Sequence, residues 1–171
     1  MQSQENGESS MKRSLSAGVL TCLVSAMFAF SIIADELSFF SPIAGSNPGI
    51  TLAGVPSAGA PWVVKHAFAT LSDEGRLRVD LRGLILPALG TAGPVTAVAA
   101  SVACSDMVAA TSAAVPLASD GNAEIHGKLQ VPSPCFGTII LVRIAGVNGN
   151  ALPAPGPWIA ASGVSKDFDD N

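Results

Sequence analysis

Three features predict an all-β protein, an antiparallel β-sandwich of about seven strands with one intersheet disulfide. The vocabulary is that of strands and turns: 17 Gly and 12 Pro in 171 residues, with only 13% of the chain charged. Short apolar or alternating runs recur at regular spacing, with turn signals between them. Two cysteines, Cys104 and Cys135, stand at the end of one such run and the start of another.

Taken in order, residues 1–34 read as a leader. Met1 to Ser10 is polar and without pattern, and Met11, with Lys12 and Arg13 behind it, reads as the working start. Leu15 to Ala34 carries no charge, and Ala34 precedes the acidic pair Asp35-Glu36. A positive region, an apolar run and a small residue before a polar shift make the tripartite pattern of a secretory signal. The alternative is an uncleaved membrane anchor, since about 20 apolar residues can span a bilayer. Lipid modification of Cys22 is disfavoured, because Thr21 is a poor neighbour and the apolar run continues well past it. Residues 35–60, with Pro42, Gly45, Pro48, Gly49, Gly54, Pro56 and Gly59, read as a Pro/Gly-rich linker or edge segment holding at most a short strand at Ile50 to Val55.

The folded domain is expected over residues 61–165. Trp62 to Leu71, the turn Ser72-Asp73-Glu74-Gly75 and Arg76 to Arg82 predict a hairpin. In its second strand Leu77, Val79 and Leu81 face inward, while Arg76, Arg78, Asp80 and Arg82 face outward. After a Gly-rich loop, Val95 to Cys104 is a small, β-branched-rich strand, and Met107 to Leu117 is read as a strand in spite of its alanines. The turn Ser119-Asp120-Gly121-Asn122 repeats the chemistry of the earlier acidic Gly turn and opens Ala123 to Val131, apolar or small at odd positions and polar at even ones. Phe136 to Ile144 is apolar on both parities around Ile139-Ile140-Leu141-Val142, as expected of a strand covered on both faces. The Asn148-Gly149 turn, a proline-rich stretch and a closing strand from Trp158 to Val164 follow, and residues 166–171 form an acidic tail. Cys104 and Cys135 lie 31 positions apart, so a bridge between them is worth roughly 3 to 4 kcal/mol by loop-closure entropy. Export into an oxidising compartment favours the bridge over two separate thiols.

This organisation resembles bacterial immunoglobulin-like modules in general character, although no Tyr occurs, and so no tyrosine corner. The run Gly93-Pro94-Val95-Thr96-Ala97, with an acidic Gly turn and strand before it and a second, Asp120-Gly121, after it, is similar to chordin-type (CHRD) domains of exported bacterial proteins. The histidines such domains carry just after this run are replaced by Val98, Ala100 and Val102, so no histidine role carries over. The resemblance implies an exported Ig-like β-sandwich.

The candidate chemistry is sparse. A net charge of −4 without a basic cluster argues against nucleic acid as a partner. No nucleophile elbow, His-Glu-x-x-His, Walker loop or Cys-x-x-Cys occurs. His66 and His126 are expected as surface histidines rather than as ligands or catalysts. The tail Asp167-Phe168-Asp169-Asp170 lacks the Gly and the distal Glu of a calcium loop. Neither cofactor nor metal is expected. The possible binding surface consists of Arg76, Arg78 and Arg82, suited to a carboxylate or sulfate on a partner, the alternative being a solvated sheet face, and of Trp62 and Trp158, each after a proline at a strand start, the alternative for both being core packing or end-capping. The expectation is therefore a secreted, monomeric, non-enzymatic module that binds a protein or glycan. The alternatives are a structural envelope domain and a hydrolase or metal-dependent enzyme with an unrecognised site.

Overall fold

The computed structural model describes residues 37–163. The expected leader, residues 1–34, and the acidic tail, residues 166–171, lie outside the described residues. Twelve strands and no helix are found among those described: β1 (Leu37–Gly45), β2 (Thr51–Leu52), β3 (Val55–Pro56), β4 (His66–Ser72), β5 (Arg76–Arg82), β6 (Val95–Cys104), β7 (Met107–Thr111), β8 (Val115–Pro116), β9 (Ala123–Lys128), β10 (Ile139–Val147), β11 (Asn150–Ala151) and β12 (Trp158–Ser162). One antiparallel sheet runs β7-β6-β10-β12-β1-β4-β5-β9, with β8 continuing β7 along β6 and β11 folded back on β10. A separate two-stranded ribbon joins β2 to β3.

The sheet curls because β1 changes partners. Its first part, Leu37 to Pro42, pairs with β4, whereas Ile43 to Gly45 pairs with β12. Proline cannot donate to a ladder, and Pro42 sits at the last β4 pair, just before Ile43 takes up β12. The expected linker over residues 35–60 is thereby corrected: its opening stretch is a strand in the middle of the sheet, without alternation because its two parts serve two halves of the fold. The halves, β1-β4-β5-β9 and β7-β6-β10-β12, bury their inner faces in one core that takes Leu71, Leu77, Val79 and Ile125 from the first and Val98, Val102, Ile140 and Ile159 from the second. At the far end of the order, β9 comes back beside β8 and β6.

Both acidic turns need their glycines. Gly75 has φ of +79° and Gly121 of +81°, and a Cβ would lie 2.0 Å from the Leu129 carbonyl oxygen at the first and 2.3 Å from the Leu84 nitrogen at the second. These turns set the ends of β5 and β9, and hence the register of the half that carries the candidate site.

In the second half β12 bulges against β10, so Ile159 and Ala160 both enter the main core, and Trp158 and Ala161 join Leu141 in a cluster on the other face. Leu52, Ala53 and Val55 of the β2–β3 ribbon pack on that cluster. The proline-rich loop before β12 is held nearby by the Arg143 guanidinium, which donates to the carbonyls of Gly156 at 2.8 Å and of Pro155. The both-parity apolar pattern of this half therefore has its cover. Burial lowers the pKa of Arg143.

The Cys104–Cys135 disulfide is present, with Cα atoms 5.0 Å apart. It does not join two sheets, which corrects the intersheet expectation: β6 and β10 are neighbours, Ala103 pairs with Ile139, and Cys135 lies in the loop leading into β10. The bridge extends an existing strand pair by one covalent rung.

Candidate functional site

The outer face of β1-β4-β5-β9 is open among the described residues, where no other element covers its alternate side chains. Register makes it a grid. Phe40, Thr70, Arg78 and His126 form one row across the four strands; Pro42, Phe68, Asp80 and Glu124 form the next. Arg76 stands opposite Lys128 on one side of these rows, and Arg82 opposite His66 on the other.

Asp80 organises the charged part. It points outward as expected of its parity, yet its side chain is only 7% exposed, because Arg78 and Arg82 lie over it. Arg78 Nε donates to Asp80 Oδ2 at 2.7 Å, and Arg82 approaches Oδ1 at 3.7 Å and meets Glu124 at 2.5 Å. The Asp80 hydrogen bond, and then its charge, raise the pKa of Arg78, so that guanidinium is a fixed cation. Held by Nε, it leaves its terminal nitrogens without a partner among the described residues, a fork suited to an oxyanion.

Beside this clamp lies an open depression of about 530 Å³. Arg76, Arg78, His126 and Lys128 line it with the hydroxyl-bearing Thr70 and Ser72, and no carboxylate among the described residues does. Arg76 is paired with Glu74 at 2.6 Å, and His126 lies 3.7 Å from Glu124, whereas Lys128 has no partner among the described residues. At the β1 end of the same face Phe40 and Phe68 stack with ring centroids 6.0 Å apart, and Phe40 is 64% exposed. The first row thus runs from Phe40, stacked on Phe68 of the next row, to a cationic hollow. Two further depressions, of about 170 and 290 Å³, are lined by no Lys, Arg or His side chain.

The expected surface residues divide. Arg76, Arg78 and Arg82 share this face, but Trp62 and Trp158 do not, being 4% and 1% exposed. That corrects their place in a binding surface: Trp62 belongs to the core between the halves and Trp158 to the covered layer over β10 and β12, where burying an indole gains more than exposing it. Cys104 and Cys135 are half-buried at the end of β6 and the approach to β10. His66 and His126 stand on β4 and β9, in different rows. Among the described residues no three His, Cys, Asp or Glu side chains gather as a metal set.

His126, Lys128, Phe40 and Phe68 were missed as site residues. Parity alone places His126 and Lys128 on the polar side of β9, but only the β5–β9 register brings them to Arg78 and Arg76. Nothing in the sequence pairs Phe40 with Phe68. In comparisons with known proteins, no family model, no curated protein and no solved structure matches this chain.

Proposed function

We propose that the chain is an exported, non-enzymatic binding module that engages a protein or glycan through the open face of β4, β5 and β9. The observation that carries it is the meeting of Arg76, Arg78, His126 and Lys128 around one hollow, where the terminal nitrogens of Arg78 and the ammonium of Lys128 have no partner among the described residues, in a chain whose net charge is −4. Exposed charges that only keep a sheet face soluble need not converge on one hollow. Strands rather than loops hold these groups, so they are positioned before a ligand arrives. The pattern of residues 11–34 and the disulfide support export. A sandwich related to Ig-like or chordin-type modules is the parent we infer for the fold; β1's division between two halves over one core supports it.

The test uses protein recovered from the medium of cells expressing the full chain, applied to glycan and protein arrays. We expect a salt-sensitive ligand whose retention falls at least about tenfold in the double variant Arg78→Glu/Lys128→Glu. Retention unchanged by that double reversal, or no ligand on either array, would remove this face from the function.

A further inference from the structure

Resting on that reading of the open face, we propose that its ligand is an anionic polysaccharide, with acid groups held in the basic hollow and a sugar ring laid against Phe40 and Phe68. The ligand chemistry follows from what a sheet face can offer. Its backbone N–H and C=O groups lie in the plane of the sheet and are committed to the ladders, so only side chains meet a ligand. A peptide lying there would find no backbone partners, and each of its own amides brought out of water unpaired is a cost. A sugar chain carries no amide backbone, and its polar groups can be met by side chains alone. Its hydroxyl and acid groups match Arg, Lys, His, Ser and Thr, and its apolar ring faces match an aromatic surface.

The grid supplies both kinds of contact at spacings a polymer can bridge. Arg78 and Arg76 project from the same side of β5, about 7 Å apart. Each has a second basic side chain across the β9 ladder, His126 beside Arg78 and Lys128 beside Arg76. From His126 the row runs through Arg78 and Thr70 to Phe40, four strands and about 14 Å. A site for one small anion needs only the hollow; the exposed aromatic pair at the other end of the row adds a second contact that charge does not explain. Carboxylate and sulfate share the chemistry recognised here, so uronate and sulfated chains are both included. Asp80 acts as a positioning residue, fixing the fork of Arg78 from beneath.

The secreted protein is run by affinity electrophoresis through gels containing polygalacturonate, dextran sulfate, neutral dextran or poly-L-glutamate. Retardation is expected with polygalacturonate, dextran sulfate or both, the pair of arms separating carboxylate from sulfate, and not with neutral dextran. Arg78→Ala is expected to weaken the interaction about tenfold, and Phe40→Ala/Phe68→Ala about fivefold with the polysaccharides while leaving weak retention on poly-L-glutamate unchanged. All three side chains are at least 37% exposed, and circular dichroism checks that the variants fold. Equal retention by poly-L-glutamate, or no effect of the phenylalanine pair, overturns the sugar assignment and leaves a general anion-binding face. No retardation by any polyanion, with an Arg78-dependent ligand still found on the arrays, overturns the polysaccharide alone; loss of both overturns the functional reading with it.

Discussion

The two halves of the sheet have the same antiparallel ladders and share a core, yet their outer faces are treated in opposite ways. On β6, β10 and β12 the outer positions include Ala99, Ser101, Leu141, Trp158 and Ala161, all buried, and the half-buried Ile139 and Arg143, beneath or beside a short ribbon and a proline-rich loop. On β4, β5 and β9 they include Phe68, Arg78, Arg82, Glu124, His126 and Lys128, and no described residue lies over them as a further layer. The first face is sealed by its own chain and the second is left to water. Rigidity and availability are thereby separated: the sealed half contributes stability, and the open half can carry charge and exposed rings because stability does not depend on them.

That contrast breaks if substitutions on the two faces cost the same. Trp158→Ala, in the sealed layer, is expected to lose about 3–5 kcal/mol in a urea titration, the usual range for truncating a fully buried aromatic. Removing the disulfide in Cys104→Ala/Cys135→Ala is expected to cost about 3 kcal/mol by the same titration. Less is expected, given that β6 and β10 are already paired next to it, if the denatured chain keeps that long-range pairing. Arg143→Ala frees the proline-rich loop from its two carbonyl contacts, with an expected loss of about 1–2 kcal/mol and faster amide exchange at Gly156, whose N–H bonds to Ile144. On the open face Phe40→Ser is expected to change stability by no more than about 0.5 kcal/mol. A larger loss there would mean the aromatic pair belongs to the scaffold.

Acidity sharpens the same contrast. The folded pKa of Arg78 is raised, so its contribution is fully present below the ordinary arginine range and disappears only as pH climbs through the folded value. Arg143, lowered by burial, works in the opposite sense: stability on its account increases as pH rises through its folded value. Both stay charged between about pH 5 and 9, so the two arginines leave the stability curve flat there. A bend in chemical denaturation midpoints within that window must come from another group.

Much of the fold is legible wherever one strand has one partner arrangement. The alternation of Arg76 to Arg82 and of Ala123 to Lys128 gives both strands and their inward faces, and the apolar parities of Ile140, Leu141 and Val142 announce a doubly covered strand. Where a segment divides its loyalties the pattern fails. β1 has no consistent alternation because Leu37 to Pro42 and Ile43 to Gly45 answer to different neighbours, and the bulge in β12 reverses parity between Trp158 and Ala161. Alternation carries the expected strand on to Val131, and the apolar run begins the next at Phe136, but the ladders of β9 and β10 stop at Lys128 and start at Ile139. Of the site, Arg76, Arg78 and Arg82 are local and could be read. Lys128 and His126 needed a long-range register, and Phe40 sat in a stretch whose prolines and glycines concealed its strand.

The partner switch in β1 also makes folding a matter of waiting. Its closing residues find their ladder only on β12, the last strand of the described domain, so a chain elongating from its N-terminus holds Ile43 to Gly45 in suspense until Ser162 has been delivered. Long-range pairing of this kind is slow. A ribosome-stalled nascent chain ending short of Trp158 should therefore remain protease-sensitive, and one extended past Ser162 should become resistant in a single step.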